Sequence, residues 1–281
     1  MIVDTHTHFY DPTRPQGVPW PPADNQLLYR TVLPAHYREL AERAGVTGTI
    51  VVEASSWLED NQWILGLAGH HPFILGLVGH IDPNRAEFGD ELARYAANPL
   101  FRGIRCGARY FENVEAGTFL SDMAQLADRD LELDVLIRDQ QLDELIKLAR
   151  HLPELRIVVD HIGHMAIDGA AIEPVWAERY QRLAAQPHIY MKVSALMEQS
   201  VVQPAPIDPD FYRPALDAMW QAFGQDRLIY GSNWPVCERA GTFAAGLDIV
   251  KTYFAGHGDE ASAKYFWKNA QSVYRWPEPL A

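Results

Sequence analysis

Eight short runs rich in β-branched and other apolar residues recur along the chain, each followed by a stretch of different periodicity bounded by turn residues. They fall at 2–8, 47–53, 73–78, 101–106, 131–136, 155–160, 189–194 and 227–231. Between them, sets such as Leu142, Leu145, Ile146 and Ala149 keep the i, i+3, i+4, i+7 rhythm of a helix lying on a sheet. Another helix is predicted from Pro34, a good first helical residue, through Tyr37, Leu40, Ala41 and Ala44 to a stop at Gly45. Strand and helix in alternation, eight times over in 281 residues, predict a closed (β/α)8 barrel, an α/β TIM barrel, rather than an open doubly wound sheet. No glycine-rich phosphate loop follows the first strand, which removes the usual support for a nucleotide-binding sheet. With no internal repeat and no low-complexity linker, one domain is expected over 1–281.

A formal net charge of −13 works against nucleic acid or an anionic membrane as a partner, because the long-range field of the protein repels both. A small molecule is the expected ligand. The two cysteines, Cys106 and Cys237, form no CxxC pair, which argues against a disulfide framework and against a cysteine-based zinc cluster. The strand-like run starts at the first residues, with no charged n-region or cleavage site, so a cytoplasmic protein is expected. The oligomeric state is left open.

Barrel chemistry gathers at the carboxyl ends of the strands, so polar residues there carry the most information. The first strand ends in His6 and His8, whose alternation puts both imidazoles on one side, a spacing suited to a metal. His161, at the end of the sixth strand beside Asp160, would complete a three-nitrogen site. Glu53 ends the second strand, Arg105 lies on the fourth, Lys192 and Ser194 on the seventh, and Ser232 and Asn233 close the eighth. Each has a plainer reading: Glu53 as a solvated loop residue, Arg105 as a rim ion pair, Asp160 as the orienting partner of a histidine. His80 and His164 are further candidates. Trp20, in a proline-rich loop read as a lid, Trp57 and Trp234 are candidates for a pocket wall, although packing against helices is the commoner use of such rings.

Three motifs in order carry a family likeness: His6-Thr7-His8, Val159-Asp160-His161-Ile162-Gly163, and Gly231-Ser232-Asn233-Trp234-Pro235-Val236-Cys237. Together with Gly103-Ile104-Arg105 and Lys192-Val193-Ser194, they resemble the amidohydrolase superfamily. The match is to its amidohydrolase-2 branch, which contains sugar-acid lactonases such as L-fucono-1,5-lactonase and L-rhamnonolactonase, and 2-pyrone-4,6-dicarboxylate lactonase. The resemblance covers essentially the whole chain and implies a barrel that hydrolyses a cyclic ester.

It also implies site roles. His6, His8 and His161 would hold a divalent metal, zinc, or position water without one. Arg105 and Lys192 would hold the carbonyl oxygen or a substrate carboxylate, so that the catalytic set is His161, Arg105, Lys192 and Asn233. Trp20, Glu53 and Trp234 would complete the substrate site. Most relatives have Ser-Asp where this chain has Ser232-Asn233, and that aspartate serves as metal ligand, base, or both. Asn233 offers only a neutral carbonyl oxygen and takes no proton, which weakens the attraction for a cation. One divalent metal or none therefore both remain open. The alternatives are a pyrone-dicarboxylate type of lactonase, a decarboxylase or isomerase on the same scaffold, and a catalytically silent barrel that binds a sugar acid. The loop at 195–209, with Pro204, Pro206 and Pro209, is expected to shape specificity.

Overall fold

A computed structural model describes residues 1–276; residues 277–281 of the predicted domain lie outside the described residues. Its eight parallel strands are β1 (Val3–Thr7), β2 (Gly48–Val52), β3 (Ile74–Gly79), β4 (Phe101–Gly107), β5 (Glu132–Leu136), β6 (Arg156–Val159), β7 (Ile189–Val193) and β8 (Leu228–Tyr230). They pair in chain order, each with the next. Helices α1 (Pro34–Ala44), α2 (Asp60–Ala68), α3 (Phe88–Ala96), α4 (Phe119–Asp128), α5 (Leu142–His151), α6 (Pro174–Ala184), α7 (Pro209–Phe223) and α8 (Phe243–Ala255) follow the strands in turn. Among the described residues no helix is long and apolar enough to cross a membrane.

Local chemistry accounts for the element ends. Pro34 opens α1, and Gly45 closes it at φ 79°, a left-handed conformation that costs glycine nothing. Asp208 caps α7 by accepting from the Asp210 N–H, and the Thr242 side chain caps α8 from the Ala245 N–H. The strands are buried on both faces, which is why they read as nearly continuous apolar runs.

The β1–β8 seam closes the barrel through several bonds. The His8 N–H donates to the Trp234 carbonyl at 2.9 Å, Thr5 Oγ1 donates to the Tyr230 carbonyl at 2.5 Å, and the Ser232 N–H donates to Asp4 Oδ1 at 2.8 Å. A bulge in β1 sets two residues, Thr5 and His6, against Ile50 of β2, between the Asp4–Thr49 and Thr7–Val51 pairs. It reverses the face on which later side chains emerge. Asp4 thus points outward to accept from the Tyr37 hydroxyl of α1 at 2.5 Å, while His6 turns into the lumen beside Lys192.

Below the site, Ala270, Val273, Tyr274 and Trp276 pack against lumen residues Val3, Ile50, Val158 and Ile229 and fill the lower end. Two glycines let polar side chains occupy the interior. A Cβ on Gly231 would stand 2.8 Å from His6 Cβ, and one on Gly103 would stand 2.3 Å from both the carbonyl and Oε1 of Glu132. Gly103→Ala is therefore expected to lower unfolding stability by about 2–3 kcal/mol through overpacking, read from the midpoint of urea denaturation. An unchanged midpoint would show that Glu132 yields freely.

Candidate active site

At the carboxyl end of the barrel lies a cavity of about 690 Å³, within the size range of small-molecule sites. His8, Trp20, Arg105, His161, His164, Glu198 and Asn233 contribute to its wall. Strand ends deliver His8, Arg105, His161 and Asn233, the loop after β1 delivers Trp20, and the loop after β7 delivers Glu198. Arg105 is fixed by Glu53: Nε donates to Glu53 Oε1 at 2.8 Å, and Nη2 donates to the Glu53 carbonyl at 2.9 Å. Glu53 thus orients the guanidinium from behind. Burial works against the Arg105 charge, but Glu53 and Asp160 more than offset it and hold the group firmly protonated.

Beneath the cavity, completely buried, Lys192 Nζ contacts Asp134 Oδ2 at 2.5 Å, Asp160 Oδ1 at 2.9 Å and His6 Nδ1 at 3.2 Å. The Tyr274 hydroxyl donates to the other oxygen of Asp134 at 2.9 Å. Burial opposes both charges of the Lys192–Asp160 pair, but Asp134 and Asp160 together raise Lys192, and Lys192 and His6 hold Asp160 well below the usual carboxylate range. Asp134 is pushed up to about 6 by burial and by Asp160. Glu132, one layer lower, is raised well above the carboxylate range by burial and by Asp134.

The imidazoles are neutral bases of low strength. Burial lowers His8 to about 4, and burial lowers His161 to about 3 against the pull of Asp160. His6 is lowered well below the ordinary range for the same reason. The His161 Nδ1 pairs with Ser194 Oγ at 2.8 Å, and the His8 Nδ1 with the Val52 carbonyl at 2.9 Å, which fixes both rings.

The sequence-predicted residues divide by position. Arg105, His8, His161, Asn233 and Trp20 meet at the cavity. Lys192, expected to hold substrate, has no exposed surface and supports His6 and Asp160 from below. Trp234 is buried and packs on Phe9 and Tyr37, with its indole N–H donating to Glu238 at 2.9 Å. Trp57 is 37% exposed and stands outside the cavity wall. The donor group that could hold a metal is His6, Asp160 and His161, whose ligand atoms lie within 4.8 Å of one another. His8 stands beside it, its ring edge-on to His6 at 4.9 Å. His6 Nε2 is buried without a hydrogen-bond partner, and two imidazoles with a carboxylate form a donor set that suits a divalent cation.

Three acidic residues escape a reading by strand ends. Glu132 and Asp134 alternate with Leu133 and Val135 inside a strand, and charges at period two in an apolar run are the signal that would have found them. Glu198 lies in the loop expected to shape specificity, but nothing in its neighbours marks it out.

The Amidohydrolase profile Amidohydro_2 matches residues 3–276. The chain belongs to this family. It is 32% identical over 292 residues to the L-fucono-1,5-lactonase of Burkholderia ambifaria, an alignment that covers 99% of this chain and 96% of that protein. The barrel of this amidohydrolase superposes on a zinc-bound amidohydrolase from Burkholderia multivorans with TM-score 0.85 at 24% identity, covering 99% of this chain and all of the other. It also superposes on a probable 2-pyrone-4,6-dicarboxylic acid hydrolase from Acinetobacter baumannii with bound citric acid, with TM-score 0.79 at 16% identity over 98% and 99% of the two chains. At these identities the two structures attest the fold.

Removing Lys192 would leave Asp134 and Asp160 facing each other without a cation. Lys192→Met is expected to cost about 3–5 kcal/mol of stability, the usual penalty for breaking a buried ion pair. Calorimetry checks it; an unchanged melting temperature would show that the carboxylates neutralise themselves at little cost.

Proposed function

We propose that this chain opens the ring of a sugar-acid lactone, adding water across the ester bond of an aldonolactone to release the hydroxy acid. The observation that carries the reading is the convergence of Arg105, His161 and His8 on one cavity, in a chain related over its full length to an L-fucono-1,5-lactonase.

Ester hydrolysis builds negative charge on the carbonyl oxygen, so the site needs fixed donors there, a held water and a proton path. Arg105 supplies the first: Glu53 takes its Nε and one Nη2 hydrogen, and the remaining donors serve the oxygen of the substrate. A cation fixed in a partly dry cavity is effective because it needs no reorganisation as charge develops. His161, with Nδ1 engaged by Ser194, has Nε2 available to orient the attacking water. Its low basicity suits it to hold a water rather than to take its proton. Trp20 offers a flat apolar wall for the C–H face of a sugar ring.

A zinc ion held by His6, Asp160 and His161 would polarise the carbonyl or lower the pKa of a bound water. Lys192 already satisfies part of the Asp160 charge at 2.9 Å, so such an ion would share that carboxylate. Cys106 and Cys237 are buried free thiols, in keeping with a cytoplasmic enzyme.

The test is proton release from a panel of aldonolactones and pyrone dicarboxylates, with and without a chelator. Turnover of one or more aldonolactones is expected, and turnover confined to pyrone dicarboxylates would overturn the substrate class. In the active assay His161→Ala is expected to lower kcat at least about a hundredfold. Near wild-type turnover in that variant would remove His161 from the site.

A further inference from the structure

A hydrolysis needs a group that takes and returns a proton, and the Arg105 guanidinium on the cavity wall cannot take one. At the end of β8 Asn233 also accepts no proton at any relevant pH. We propose that Glu198 is the general base and acid of the hydrolysis, and that it replaces, from the loop after β7, the carboxylate that Asn233 does not provide. This rests on the lactonase reading.

Geometry brings the two residues together. The Asn233 Nδ2 donates to Glu198 Oε1 at 2.9 Å, and both side chains contribute to the cavity that Arg105 and His161 also line. His8 lies on the same cavity wall, its Nδ1 held by the Val52 carbonyl at 2.9 Å. An aspartate at 233 would face Glu198 as a like charge at hydrogen-bond distance, a costly arrangement with so little water. The neutral amide removes that repulsion and supplies a donor instead. An amide at 233 and a carboxylate at 198 are complementary, and one acidic group serves the cavity from that side.

The loop holds Glu198 in place. Ala195 adopts φ 55°, turning the chain sharply after β7. A helical turn follows, with the Gln199 N–H on the Ala195 carbonyl at 3.1 Å and the Ser200 N–H on Met197 at 3.2 Å. Ile167, after β6, then clamps the loop from both sides: its N–H donates to Gln199 and its carbonyl accepts from Val201, each at 2.9 Å. A group so fixed pays little orientational entropy when it reacts.

Burial pushes the Glu198 carboxyl up to about 7, against the pull of its bond from Asn233 and of the Arg239 charge. The other titratable groups in its field are Cys237 and Tyr212, both raised above their ordinary values and neutral, with neutral His8 and His164 on the cavity wall. Such a carboxyl divides between its two forms near neutral pH, as a group that must both take and return a proton requires.

In the reaction, water oxygen forms a bond to the lactone carbonyl carbon while one water proton passes to the Glu198 carboxylate. The carbonyl π electrons move to the oxygen facing Arg105. On collapse the C=O bond re-forms and the ring C–O bond breaks. The departing ring oxygen takes the proton from Glu198, which returns to the carboxylate. The new carboxylic acid then ionises to solvent.

Glu198→Gln keeps an oxygen to accept from Asn233 but cannot move a proton. Its kcat on an aldonolactone turned over by the wild type is expected to fall at least about a hundredfold. KM should stay within about threefold of wild type, because binding that does not change between ground and transition state is untouched. For the wild type, kcat/KM should drop on the acid side with an apparent pKa near 7, as the base is protonated, and this limb should vanish in Glu198→Gln. Adding Asn233→Asp to Glu198→Gln returns a carboxylate one hydrogen bond away and should regain about tenfold or more in kcat. A Glu198→Gln variant within about threefold of wild-type kcat, or one that keeps the acid limb, overturns the assignment of Glu198. A double variant no faster than Glu198→Gln overturns the exchange between positions 198 and 233. If the wild type opens no aldonolactone, the lactonase reading fails first and takes this inference with it.

Discussion

Lys192 is a cation with no access to water, placed where three separate strands each deliver a polar group. Asp134 comes from β5, Asp160 from the end of β6 and His6 from β1, so one ammonium ties together elements far apart in the chain. Any shift of one strand along another would break a contact inside a medium that compensates poorly for the loss. The lumen accepts this polar layer only because Gly103 and Gly231 withhold side chains beside it and because the bulge in β1 turns His6 inward. Strand register, glycine placement and the polar core are therefore a single constraint.

The cavity inherits its electrostatics from that layer. Lys192 stabilises Asp160 as an anion, and Asp160 pulls on His6 and His161 without overcoming their burial. The result is a floor of neutral imidazoles above a compensated charge network, with Arg105 as a fixed cation on the wall and Glu198 as a carboxyl near its midpoint at neutral pH. In the proposed reaction, donors, water-holding nitrogen and proton carrier are thus separate groups on different strands and loops. That division of labour suits an activated ester, whose hydrolysis asks for modest help at several atoms.

Much of the architecture is legible in the order of residues. The helix from Pro34 to Gly45 is legible because a proline and a glycine mark its ends, and the strands because parallel strands buried on both faces must be apolar throughout. The motifs at the ends of β1, β6 and β8 locate the site, since a barrel gathers those ends at one mouth. Lys192 shows where such reading stops. Its position on β7 says that it points inward, but whether an inward lysine reaches substrate or lies below it depends on its depth in the lumen, which involves all eight strands. Trp234 is similar, since one residue of difference in the turn separates the cavity wall from the packing around Phe9 and Tyr37.

Composition and periodicity were enough to specify an eight-fold α/β barrel and the end of it that carries chemistry, because these follow from local rules and from closure, while the family entered through the resemblance of the strand-end motifs. Three-dimensional packing alone settled which polar groups meet. Asp134 serves Lys192, Asp160 joins His6 and His161, and Glu198 sits on Asn233 across a separation of 35 residues. Burial and neighbouring charge together settled the protonation state of each, since one buried carboxyl is anionic beside Lys192 and another, beside a neutral amide, is pushed up to about 7. Sequence distance carries no information about either, because the dielectric and the neighbours of a side chain are made by residues from the whole barrel.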